Sequence, residues 1–174
     1  KADFIVERKL RASAGEGGKI DIAAQAEQAK GKSFVYEGYY GSTCLVELDE
    51  EPPHELNQEA LHTALQFSLL AQSTISPIIQ VMRKTVVDGS NTSGFQRTAL
   101  IARHGQIETS EGTVRIMNIS LEEDSAKIIT QTPTTKTYRL DRLGIPLIEI
   151  GTEADIISPQ QCQEAAKKIG LLLR

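Results

Sequence analysis

The sequence predicts an α+β fold, an antiparallel sheet with covering helices, and three observations predict it. Two long segments show helical spacing behind good caps, and most other apolar residues fall in short runs rich in β-branched and aromatic side chains. The links between those runs are turn-like and too short for the crossovers that parallel neighbours need. With 174 residues, 40% hydrophobic and 24% charged, the chain has an ordinary globular balance and the length of one sizeable core.

In chain order, Phe4–Val6 reads as a short strand, followed by a glycine-rich turn at Gly15-Glu16-Gly17-Gly18. Asp21 caps a short helix to Lys30, with Ile22, Ala26 and Ala29 near helical spacing. Ser33–Tyr40 and Thr43–Leu48 read as strands, ended by Pro52-Pro53. Asn57 caps a helix whose stripe is Leu61, Ala64, Leu65, Ser68 and Leu69; its bland reading is a core-covering helix. Strands are then expected at Ile78–Val87, Gly94–Ala102, Thr113–Leu121, Ala126–Thr130 and Leu147–Ile150, with spacers at Asp88-Gly89-Ser90-Asn91, His104-Gly105 and Glu111-Gly112. Ser158, Pro159 and Gln161 form a cap, a first-turn proline and a capping-box residue, so a helix runs on through Leu173.

Composition excludes several function classes. A net charge of −4 gives no broad basic surface, so any nucleic-acid contact must be local. Cys44 and Cys162 are too few for a disulfide framework or a zinc site and read as reduced thiols of a cytoplasmic protein. No apolar run approaches the roughly 18 residues of a spanning helix, so no membrane role is expected. The three histidines lie in unrelated contexts and no nucleophile-elbow pattern occurs, which disfavours covalent hydrolase chemistry. The chain starts at Lys1 and stops at Arg174 inside a helical pattern, which reads as an internal piece of a longer polypeptide.

Three places carry candidate chemistry. In Leu121-Glu122-Glu123-Asp124, alternation puts Glu123 on the face of Arg115, Met117, Ile119 and Leu121, and Glu122 with Asn118 and Ser120; the bland reading is a solvated strand end. In Gly144–Ile156 a carboxylate, Glu149, interrupts Leu147, Ile148 and Ile150. Period two sends the isoleucines to the core and Glu149 to the opposite face with Leu147, Gly151 and Glu153. Carboxylates on a covered sheet face suit a hard divalent cation such as Mg2+. Thirdly, Arg83-Lys84 precedes the loop Asp88–Arg97, whose small residues let backbone donors approach a phosphate; a polar hairpin with basic flanks is the competing reading.

The segments YEGYYGSTCLVELDEEPPHELN, VMRKTVVDGSNTSGFQRTALIA, IETSEGTVRIMNISLEEDSAK and YRLDRLGIPLIEIGTEADIISP carry a specific resemblance. From about Ile20 onward the chain resembles the E subunits of archaeal glutamyl-tRNA(Gln) amidotransferases, and more distantly the bacterial and organellar B subunits. The resemblance implies a glutamine synthetase-like catalytic domain, present in part over residues 1–174. The Glu-x-His strand and the C-terminal insert, helical and tail domains would be missing. It implies ATP- and Mg2+-dependent phosphorylation of the glutamate carboxylate of Glu-tRNA(Gln), then amidation with ammonia from an asparaginase-like D subunit. Residue by residue, it assigns Glu123 and Glu149 to the metal, and Arg83, Lys84, Ser93 and Gln96 to the ATP or substrate pocket. Ser93 departs from the B-type pattern, which has lysine there. The 174-residue piece alone is expected to be inactive. The competing expectation is a scaffold that docks tRNA or the partner subunit.

Overall fold

The computed structural model describes residues 1–9 and 17–174; of the expected glycine turn, Gly15 and Glu16 lie outside the described residues. The elements are β1 (Phe4–Lys9), α1 (Ile22–Ala29), β2 (Ser33–Gly38), α2 (Gln58–Leu70), β3 (Thr74–Ile75), β4 (Val81–Thr85), β5 (Phe95–Thr109), β6 (Gly112–Glu123), β7 (Lys127–Gln131), β8 (Thr135–Arg139), β9 (Pro146–Thr152) and α3 (Pro159–Leu172). This is a mixed α+β arrangement, as expected. Among the described residues no helix is long and apolar enough to cross a membrane.

Local chemistry starts each helix. The Asp21 carboxylate accepts from the Ala23 and Ala24 amides, the Asn57 side chain from Ala60, and Ser158 Oγ from Gln161. These bonds satisfy amides that have no partner inside the helix. In α3 the Gln161 side chain reaches back to the Ile157 amide at 2.9 Å, one residue earlier than the capping box expects.

The chain forms two compact units rather than the single core expected from its length. The first comprises Lys1–His54, Arg83–Gln96 and Glu123–Ile145. Its sheet has the order β1-β2-β8-β7. The expectation of a wholly antiparallel sheet fails here: β2 and β8 pair in parallel, with Tyr36 opposite Tyr138. Short links do not control these two strands, because they are distant in sequence and β8 was not foreseen. The core is aromatic, formed by Phe34, Tyr36 and Tyr138 with Ala126 and Leu140.

Thr43–Leu48 is not a strand. The Glu47 carboxylate accepts from the Cys44 amide at 2.7 Å, and the backbone closes turns from Asp49 to Val46 and from Glu50 to Leu45. This local capping overrides the β-branched composition.

The second unit comprises Glu55–Met82, Arg97–Glu122 and Pro146–Arg174. Its core is almost purely aliphatic: Ala64, Phe67 and Ala71 pack on Ala99, Ile101, Ile107, Ile116, Ile119 and Leu121. The stripe of α2 is rotated from the expected one, since Phe67 is fully buried while Leu69 is 65% exposed. The sheet runs β3-β5-β6-β9, with β4 also pairing β5. Of the expected Ile78–Val87 strand only β4 forms.

The His104-Gly105 spacer is not a turn. β5 runs straight through it, with Arg103 opposite Asn118 and Gly105 opposite Ile116. His104 takes a left-handed φ of 57°, and a Cβ at Gly105 would sit 2.1 Å from Ser73 Oγ. The chain therefore absorbs the irregularity inside the ladder.

Candidate functional site

The irregularity in β5 has a consequence in β6. Val114 and Ile116 are buried, but so are Ile119 and Leu121, three and five residues beyond Ile116. Alternation therefore slips by one residue, and the expected common face of Arg115, Met117, Ile119 and Leu121 is split: Arg115 and Met117 are exposed, Ile119 and Leu121 enter the core. The slip lies beside the left-handed His104 and the register shift between Leu100 and Ala102.

β9 behaves as period two predicts. Ile148 and Ile150 pack against the aliphatic core, and Glu149 is exposed on the other face. That face can be followed onto β6: a Cβ at Gly151 would fall 2.3 Å from Asn118 Oδ1, so the two residues are face to face. The Asn118 amide also points along the strand to Ser120 Oγ at 3.5 Å. Asn118, Ser120 and Glu122 thus share the side of Glu149, and Glu122 is only 7% exposed. A solvated strand end does not describe Glu122.

The three acids after Leu121 have separate roles. Glu122 is buried. The carbonyl of Glu123 accepts from the Gln96 side-chain amide at 2.6 Å, so two of the sequence-predicted residues are joined. Asp124 is structural: Arg142 Nε and Nη2 reach its Oδ2 at 2.9 and 2.6 Å, and its backbone pairs with Gly144 and Ile145.

Of the six candidates, Arg83, Lys84, Ser93, Gln96 and Glu123 belong to the first unit and Glu149 to the second. Arg83 and Lys84 are exposed on β4, and the Arg83 guanidinium lies 5.2 Å from the Phe95 ring centroid. This cation–π contact holds a cation at the surface with its donor edge available. Ser93 Oγ donates to the Phe95 carbonyl at 3.0 Å, which fixes the exit of the loop.

The loop entrance rests on residues the sequence did not single out. Tyr36 and Tyr138 donate their hydroxyls to the carbonyls of Gly89 and Asp88, at 2.8 and 2.7 Å. Burial pushes both phenols well above their ordinary range, so they stay protonated donors. Gly89 has φ +87°, and a Cβ there would meet the Phe34 ring at 2.4 Å. An alternating aromatic pair in an expected strand, Phe34 and Tyr36, was the available signal; Tyr138 lay in a strand that was not foreseen.

A hard cation wants oxygen donors. The Glu149 face offers Glu149, Glu122, Ser120 and Asn118, whose Oδ1 is buried with no hydrogen-bond partner among the described residues. This donor set fits Mg2+ in chemical type. It is a partial set, since among the described residues no group of three or more acids, histidines or cysteines is placed to hold an ion alone.

The family model described as the GatB/GatE catalytic domain matches residues 19–174. Curated relatives agree with it. The glutamyl-tRNA(Gln) amidotransferase E subunit of Methanocaldococcus jannaschii is 53% identical over 172 residues, covering 99% of this chain and 27% of that protein. Its counterpart in Sulfurisphaera tokodaii is 54% identical over 169 residues, covering 97% of this chain and 27% of its own. The chain therefore spans about a quarter of the length of these relatives. An ordered set of segments read from sequence and a match over nearly all of the chain lead to one conclusion: it belongs to the GatB/GatE catalytic-domain family.

Proposed function

We propose that the chain is part of the catalytic domain of a subunit that converts Glu-tRNA(Gln) to Gln-tRNA(Gln), on a glutamine synthetase-like cradle. The observation that carries the reading is the bond from Gln96 to the Glu123 carbonyl, which ties the glycine loop to the acidic strand end. It supports one site for a nucleotide and a carboxylate rather than two unrelated surface features. Family names of the relatives supply the reaction class.

A carboxylate is a poor electrophile until one oxygen becomes a phosphate leaving group, and phosphoryl transfer is catalysed mainly by positioning and charge neutralisation. Here Arg83 and Lys84 supply exposed positive charge beside the loop, and the loop backbone supplies donors for phosphate oxygens. Glu149, with Asn118, Ser120 and Glu122 on its face, would offer oxygens to Mg2+, and Glu123 is proposed as a metal ligand from the resemblance alone; the ion, when bound, neutralises charge developing on the transferred phosphoryl group. The remaining ligands would come, as the resemblance implies, from the family's Glu-x-His motif. Ammonia then displaces phosphate, supplied by an asparaginase-like partner subunit in a cytoplasmic complex. Residues 1–174 alone are proposed to be inactive.

The test uses the full-length subunit in its complex. Glu123→Ala and Glu149→Ala should each abolish phosphate transfer from ATP to Glu-tRNA(Gln) and weaken Mn2+ binding read by electron paramagnetic resonance. Full transfer in both variants, with assembly intact, sinks the catalytic reading and leaves the domain a docking scaffold.

A further inference from the structure

The segment from Asp88 to Gly94 is held along its whole length. Besides the two tyrosine hydroxyls, the Ala126 amide donates to the Ser90 carbonyl at 2.9 Å, and Ser125 Oγ donates to Asn91 Oδ1 at 3.1 Å. Thr92 Oγ1 donates to the Glu47 carbonyl at 2.8 Å, and the Val86 amide donates to the Gly94 carbonyl at 2.8 Å. Asn91 is 6% exposed, unusual burial for a loop asparagine.

The floor beneath is equally fixed. Tyr36 and Tyr138 are register partners in the parallel pair, and their rings stack with centroids 5.9 Å apart and planes 22° apart. The Phe34 ring occupies the space that Gly89 leaves open. A buried phenol needs an acceptor and a buried carbonyl needs a donor, so the two hydroxyls and two carbonyls satisfy each other. Phenylalanine at both positions would fill the same volume, as it does at Phe34 next door, but would leave the buried Gly89 carbonyl without its donor. What the hydroxyls add is a fixed loop path.

We propose that Tyr36 and Tyr138 are positioning residues that hold the Asp88–Gly94 backbone in place to receive a phosphate group, either of ATP or of the tRNA 3′ end. This rests on the assignment of Ser93 and Gln96 to the substrate pocket. Their action is preorganisation: a loop already in its bound path loses no conformational freedom when the phosphate arrives. The effect therefore falls on substrate binding and not on the chemical step.

The experiment measures Tyr36→Phe, Tyr138→Phe and the double variant in the full-length complex, with ATP and Glu-tRNA(Gln) varied in turn. KM for one of the two should rise about threefold in each single variant and about tenfold in the double, with kcat within about twofold. The substrate whose KM moves identifies the source of the phosphate. Amide exchange across Asp88–Gly94 should quicken in the same variants. The inference is overturned if exchange quickens while both KM values hold, or if exchange does not change. Ser93→Ala and Gln96→Ala separate the two levels. If they raise KM and the tyrosine variants do not, only the positioning role falls; if they also leave KM unmoved, the pocket assignment falls and this inference with it. Should the double variant not fold, the single variants decide.

Discussion

The two units solve the problem of a core in different ways. In the second, Ile101, Ile107, Ile116, Ile119 and Leu121, with the single ring of Phe67, make a mainly aliphatic cluster whose mutual contacts are a matter of volume. In the first, three aromatic rings form the interior, and two of them carry hydroxyls bonded to a loop. An aliphatic core tolerates changes of shape and fails when a void opens, whereas an aromatic core with a glycine pressed on it fails when anything is added. The difference teaches how a loop is fixed: Asp88–Gly94, proposed to take phosphate, is held by the core that has polar atoms to hold it with.

The contrast can be broken at either end. All four tyrosines lie in the first unit and the chain has no tryptophan, so tyrosine fluorescence reports on that unit, while the helical far-UV circular dichroism comes mainly from α2 and α3 of the second, with a smaller part from α1 of the first. The largest effect is expected from Phe67→Ala, which opens a void in the aliphatic core; denaturant unfolding should show a loss of about 3–5 kcal/mol in the dichroism transition. Next comes Gly89→Ala, which adds a methyl against Phe34 in a left-handed backbone. The loss should be about 2–4 kcal/mol in the fluorescence transition, combining strain and overpacking. Gly94→Ala sharpens the point: φ is +77° but the space is open, so only the backbone term of about 1–2 kcal/mol should appear. A Gly89→Ala loss no larger than that of Gly94→Ala would remove the argument from the aromatic floor.

The smallest effect is a pH dependence of the second unit. The hydrogen bond from the Arg115 side chain holds Asp155 down at about 2, and those from Ser110 and Lys168 hold Glu164 down at about 2. Both carboxylates are depressed on folding, so their contribution is present above the ordinary carboxylate range of about 4 and lost as pH falls through about 2. Asp155→Asn and Glu164→Gln should flatten the acid limb of the dichroism curve between those values and leave the curve near neutral pH unchanged in shape. An acid limb as steep as that of the parent protein would show that these two groups do not govern it.

Much of the fold was legible where structure is local. Asp21, Asn57 and Ser158 named the three helix starts, and the alternation Leu147 to Ile150 correctly sent two isoleucines inward and Glu149 outward. Each depends on neighbours within a few residues, which the sequence displays. The candidate site was legible in parts. Gln96 and Glu123 were named, and the Gln96 amide meets the Glu123 backbone carbonyl; Glu122 was grouped with Asn118 and Ser120 but read as a solvated strand end, and the face of Arg115, Met117, Ile119 and Leu121 broke at a slip that lies beside the His104 backbone.

By itself the sequence determined the α+β class, the helix caps and the outward aim of Glu149, which follow from residue type and short spacing, and the family, which its ordered segments carry by resemblance. Only the tertiary structure decided that there are two cores, that β2 and β8 run in parallel, and that Tyr36 and Tyr138 seize the glycine loop. Those features join residues far apart in the chain, through register and burial, and a linear pattern with a period of two or 3.6 carries no information about partners at that distance.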